Sequence, residues 1–153
     1  MPLETRRFAK TAMVFLFLTF LVGAALTIAR GAGASIPAII GVEHAHLGLV
    51  GFLVNIVIGI ALWMLPLDRE RYPTTQGRYP DGAPTACWWL LNGGLTIRVV
   101  AEPVQQLVNP SSFALAALVD AAALAQLVAV GIFAAIAWHR IRPAAMERFG
   151  TRA

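Results

Sequence analysis

Thr11-Ala-Met-Val-Phe-Leu-Phe-Leu-Thr-Phe-Leu-Val-Gly-Ala-Ala-Leu-Thr-Ile-Ala29 runs for 19 residues without a charge. As a helix it covers about 28 Å, close to the roughly 30 Å of a bilayer's hydrocarbon core. Arg6, Arg7 and Lys10 stand before it and Arg30 behind it. A charged start ahead of an apolar run resembles a secretory signal. This run, however, exceeds the roughly 7–15 apolar residues that a signal carries. It reads as a retained membrane-spanning helix, about Phe8 to Arg30.

Working outward, three more apolar segments follow: about Glu43 to Leu65, Thr85 to Glu102 and Phe113 to His139. A Gly-rich link from Gly31 to Pro37 precedes the second, and Pro66 closes it. Pro84 and Pro103 bracket the third, and Pro143 follows the fourth. Proline is tolerated at helix ends, where its missing N–H costs nothing. Inside lipid each backbone must satisfy its own hydrogen bonds, so the segments are helices. The expected fold is all-α: one four-helix membrane domain over residues 1–153 with a basic tail from 140 to 153.

Composition agrees with the segments. The chain is 58% hydrophobic and 13% charged, more apolar surface than one soluble core of 153 residues could hide. Its formal charge of +4 sits at the ends of apolar runs and forms no patch, which argues against nucleic acid as a partner. The single cysteine, Cys87, excludes an internal disulfide, a Cys-x-x-Cys zinc site and covalent heme attachment. It reads as a small packing residue.

Orientation follows from the cations. Arg6, Arg7 and Lys10, then Arg69, Arg71 and Arg78, then Arg140, Arg142, Arg148 and Arg152 form three basic segments. The other two links carry no Lys or Arg. All three basic segments share a side only if four spans leave both termini in the cytoplasm. That topology places His44 and His46 near the outer end of the second helix, and Arg98 and Glu102 near the outer end of the third. Asp120 falls about 10 Å into the fourth, and Arg30 closes the first. Ionisable groups at such depth commonly mark a site. The plainer readings are snorkelling for Arg30, Glu43 and Glu102 and an Arg98–Asp120 ion pair. His139 reads as a solvated interfacial residue, and the tryptophans as anchors.

His44 and His46 carry the chemistry. Neutral imidazole ligates heme iron, copper and zinc. Residues two apart on a helix project about 200° from each other, so the two rings serve different sites.

The stretch Glu43-His-Ala-His-Leu-Gly-Leu-Val-Gly-Phe52, continuing through Gly59 and Trp63 to Pro66, resembles the heme-bearing helices of heme-copper oxidase and nitric oxide reductase catalytic subunits. The chain is also similar to short four-helix relatives of the subunit-I type, in which Trp89-Leu-Leu-Asn92 falls on the third helix. The likeness is specific over the second helix, loose over the third and topological elsewhere. It implies a non-covalent b-type heme, held by His46 first and His44 next, serving electron transfer or diatomic gas binding in a bacterial inner membrane. Arg98 and Arg30 would then neutralise propionates. Glu102, Glu43 or Asp120 would hold a ligating histidine's Nδ1 proton. Gly48, Gly51, Gly93 and Gly94 would admit the macrocycle.

The departures are as informative. The family's copper needs three further histidines and this chain has one, His139; the tyrosine-bearing motif is missing. A terminal oxidase within one chain is excluded on ligand count. A bis-histidine heme would have to bridge subunits, which predicts a homo-oligomer, trimer or dimer, with heme near the interface and a separate redox partner. Otherwise one histidine leaves an open coordination position. The alternatives are copper or zinc without porphyrin, and an accessory subunit of a respiratory complex.

Overall fold

The structure is a computed structural model that describes residues 1–141. Arg142, Met146, Arg148 and Arg152 lie outside the described residues. Four helical rods run side by side. The first is α1 (Leu3–Gly31); α4 (Ala83–Leu107) and α5 (Phe113–Arg140) are the third and fourth. The second rod is continuous but composite: α2 (Ala38–His46), a π-helical stretch (Leu47–Val54) and α3 (Asn55–Met64). α1, the second rod and α5 are each long and apolar enough to cross a membrane. The protein is membrane-embedded through these helices.

Several boundaries move from the expected ones. α1 begins five residues before Phe8, taking in Arg6 and Arg7, and the second rod starts directly after Pro37. Pro103 does not stop α4, which continues to Leu107. The missing N–H leaves only one carbonyl of the turn before it without its usual partner, and the helix tolerates that near its end. The π-helical stretch had no sequence signal. At its inner end the Asn55 side-chain amide donates to the carbonyls of Val50 (3.2 Å) and Gly51 (3.0 Å).

The rods form a row rather than a closed bundle. α4 packs most extensively on α5, α1 on the second rod, and the second rod joins the two hairpins through α4. Among the described residues α1 and α5 make no contact, so they are the two ends of the row. Close approach decides the first seam. A Cβ on Gly51 would lie 2.6 Å from Cγ of Phe15, so only glycine lets α1 pack there. On the other seam a Cβ on Gly94 would meet the Ala122 carbonyl oxygen at 2.7 Å. Gly51 and Gly94 therefore serve helix packing, not a macrocycle.

The buried apolar core lies towards the end of the row that carries the α3–α4 link. Phe8, Ile58, Leu62, Cys87, Leu91, Ala129 and Ile136 meet there. At mid-height Asn55 and Asn92 exchange amide hydrogen bonds of 2.9 and 3.1 Å. Asn92 also donates to the Trp88 carbonyl at 2.9 Å, and the indole N–H of Trp88 reaches the Thr11 hydroxyl at 3.0 Å. One polar chain thus joins three rods.

The core end is closed by Arg140, which the sequence places among the basic tail residues. Its side chain is fully buried. The guanidinium donates to the carbonyls of Pro66 (2.9 Å), Leu62 (3.2 Å) and Leu65. Leu62 is one of the carbonyls a helix leaves without partners at its C-terminus, and Leu65 and Pro66 carry the chain out of α3. Nearby, the Tyr79 hydroxyl donates to Glu4 at 2.6 Å and ties the α3–α4 link to the start of α1. Burial pushes the Tyr79 phenol well above its ordinary value, and the Glu4 carboxylate adds to the shift.

Two outcomes follow. Arg140→Met should lower unfolding stability in detergent by about 3 kcal/mol, since three charge-assisted hydrogen bonds disappear; a change below about 0.5 kcal/mol would show that the cap does not matter. Because the folded protein holds the Tyr79 proton more tightly than the unfolded chain, stability should fall as pH rises above about 10. Thermal melts of Tyr79→Phe should show a flatter alkaline limb.

Candidate functional site

The end of the row opposite Arg140 holds the groups that the sequence singles out, and the second rod divides them between two sides. Glu43 and His46 are three apart and share a side of α2, as helical spacing requires. His44 leaves on another side. The geometry separates the two imidazoles, which belong to different environments.

On the α4 side, Glu43 is only 4% exposed, and neither carboxyl oxygen has a hydrogen bond. Nδ1 of His46 lies 3.6 Å from a Glu43 carboxyl oxygen, and that nitrogen also lacks a hydrogen bond. From α4, the Arg98 Nε donates to Glu102 at 2.7 Å. Both members of this pair lie within electrostatic reach of Glu43 and His46. Two carboxyls, a guanidinium and an imidazole therefore share a small volume in which a single short ion pair satisfies only half of them. Taking such groups from water costs more than their mutual attraction returns unless hydrogen bonding is complete.

On the α1 side, His44 lies against Gly23. A Cβ there would stand 3.0 Å from Cε1 of the ring. The ring lines a cleft of about 650 Å³ whose walls include Thr19, Phe20, Gly23, Thr27 and Arg30. The volume falls within the roughly 300–1,000 Å³ of small-molecule and cofactor sites. His44 Nδ1 is buried without a hydrogen bond. A cleft with one imidazole, one guanidinium at its mouth, two hydroxyls and otherwise small or apolar walls suits a flat apolar molecule bearing an acidic group. If the molecule were a porphyrin, His44 would hold its metal and Arg30 would meet a propionate; the absent side chain of Gly23 gives the imidazole its place.

The predicted residues thus separate. His44 and Arg30 meet in the cleft. His46, Glu43, Arg98 and Glu102 meet between the second rod and α4, and Arg98 is paired there instead of facing the cleft. Asp120 joins neither group and forms no pair with Arg98. Gly94 lies level with Ala122, so on these antiparallel helices Asp120 lies level with Thr96, about 9 Å below Glu102. Asp120 points outward and is exposed. α5 begins lower in the row than its neighbours, which the sequence could not reveal. Thr19, Phe20 and Gly23 were missed because nothing in α1 distinguishes a cleft wall from a lipid-facing stripe.

Among the described residues no three His, Cys, Asp or Glu side chains come close enough to share a metal ion. No protein-family model, curated protein or solved structure matches the chain.

Glu43 and Glu102 should respond oppositely to truncation. Glu43→Leu removes an unsatisfied buried carboxyl and should stabilise the protein by about 1–3 kcal/mol. Glu102→Leu strands Arg98 and should destabilise by about 3 kcal/mol or more. Thermal unfolding in detergent checks both signs.

Proposed function

We propose that this protein is a b-type heme protein with four spans and both termini in the cytoplasm of a bacterial inner membrane, and that it binds a diatomic gas or passes electrons. The observation that carries the reading is the His44 ring set in a 650 Å³ cleft with Arg30 at its mouth. The sequence ranks His46 first. The cleft favours His44, because His46 is instead packed beside buried Glu43.

Heme supplies an iron that takes up one electron or a small gas molecule. The chain's own residues do the rest. His44 orients the ring from α2. Arg30 meets carboxylate at the membrane boundary, where a guanidinium binds in a fork. Phe20 and Leu26 provide apolar walls. Among the described residues no second histidine lines the cleft, and the methionines Met13 and Met64 are not among its walls. With a single imidazole on offer in the cleft, gas binding is favoured over transfer of electrons through a bis-histidine heme. The Arg98–Glu102 pair and Glu43 adjoin His46 on the far side of α2, where they shape the charge near the site without touching it.

Four spans rest on α4, whose 25 residues come close to its neighbours in length and pack on α5 more extensively than any other pair of elements. The basic residues of the α3–α4 link, of the start of α1 and of the end of α5 lie at one end, which the positive-inside tendency assigns to the cytoplasm.

The test is absorption spectroscopy of the detergent-purified protein before and after dithionite. A Soret band with sharp reduced α and β bands is expected. His44→Ala and Gly23→Val should each lower bound heme at least tenfold, while His46→Ala keeps it. A high-spin ferric spectrum is expected; a low-spin one would replace this reading with a bis-histidine heme shared between subunits. A colourless protein carrying copper or zinc, or no metal at all, would overturn heme binding in favour of a metal protein or an accessory subunit.

A further inference from the structure

The walls of the His44 cleft come from α1 and α2, and among the described residues neither α4 nor α5 contributes one. Counted at about 100° per residue, Phe20, Ala24 and Thr27 stand about 100°, 140° and 80° round α1 from Thr19. Thr19 itself faces the second rod at Gly48. The three therefore line the flank of the helix pair, not its seam. All three are exposed, Phe20 to 73%.

Depth fixes what lies outside that flank. Thr19 is 11 residues from Arg30 on a helix long and apolar enough to cross a membrane. The distance is about 16 Å, roughly half of a hydrocarbon core. The open side of the cleft thus faces acyl chains over most of its length, and water only near Arg30. The polar groups of the walls agree. Thr19 donates to the Phe15 carbonyl at 2.7 Å and Thr27 to the Gly23 carbonyl at 2.9 Å, both within α1. Hydroxyls satisfied inside their own helix need no water. The Arg30 guanidinium at one end and the His44 ring beside Gly23 are the groups that meet an occupant.

We infer that the cleft is a side entrance from the membrane, and that its occupant is an amphiphile with an anionic end drawn from the leaflet on Arg30's side. The apolar body lies along Phe20, Gly23 and Ala24, and the anionic end stops at Arg30. A guanidinium holds a carboxylate or phosphate in a fork and resists withdrawal into lipid, so it fixes the direction of entry. Solutes without an apolar body are excluded by the same geometry. The inference rests on the heme reading only for the name of the occupant, since a porphyrin with its propionates is one member of this class.

The experiment places nitroxide labels on the full chain in lipid vesicles, in a Cys87→Ala background. Ala24→Cys and Thr27→Cys on the cleft flank are compared with Leu21→Cys, exposed on α1 outside the cleft, and with Ala34→Cys in the α1–α2 link. Each label is read for collision with oxygen, which dissolves in lipid, and with a water-soluble nickel chelate. The oxygen-to-chelate ratio at Ala24→Cys should match Leu21→Cys and exceed Ala34→Cys about tenfold. Thr27→Cys repeats the reading nearer Arg30. A ratio at Ala24→Cys as low as that of Ala34→Cys would make the cleft a water-filled vestibule and overturn the inference. Oleate in the vesicles supplies a carboxylate amphiphile without a porphyrin, and hemin supplies both. Oleate should slow the label at Ala24→Cys but not at Leu21→Cys, and Arg30→Gln should weaken this effect about tenfold. No slowing by either probe, or slowing that Arg30→Gln leaves intact, would also overturn the inference. Slowing by oleate and not by hemin would uphold the side entrance and end the heme reading.

Discussion

Three carbonyls at the end of the second rod need donors in a place where lipid has none, and the buried guanidinium of Arg140 supplies all three. That contact joins the last helix to the second and holds the row together at its basic end. The same requirement recurs at mid-height. There two side-chain amides, Asn55 and Asn92, satisfy each other and the carbonyls beside them. Hydrogen bonds inside a membrane protein find few competitors, so such pairs fix which helices are neighbours.

Away from Arg140 the balance changes. Glu43, His44 and His46 all keep buried polar atoms without hydrogen bonds, within four residues of one another. Unsatisfied groups at a fold's interior are costly and concentrate where a molecule is to be bound or a charge handled. Such atoms gather in α2 at the end opposite Arg140, against the Thr5 hydroxyl at the basic end and the Gln126 amide on α5. On this view the apolar core at one end supplies stability, and the α2 segment spends some of it.

The composite second rod is what separates the two histidines' environments. Glycines along it let α1 approach closely, and this contact makes α1 a wall of the His44 cleft. On the other side α4 brings Arg98 and Glu102 to His46 and Glu43. The two imidazoles thus stand back to back, one facing a space large enough for a cofactor and the other facing charge. This difference arises from the neighbours, because the helix itself treats the two positions alike.

The amino-acid sequence by itself determined that the chain is helical and membrane-embedded, where its apolar rods lie to within a few residues, and that His44 and His46 project apart. Run length, proline positions and the 100° helical step are local properties, and lipid forbids the alternatives. Tertiary structure alone decided that Arg140 is a buried cap, that Pro103 lies within a helix, that Arg98 pairs with Glu102, and that Asp120 lies deeper than its place in α5 suggests. Each of these depends on the relative heights and facing sides of packed helices. Those are set by glycine contacts such as Gly51 on Phe15 and Gly94 on Ala122, and spacing along one chain segment carries no record of them.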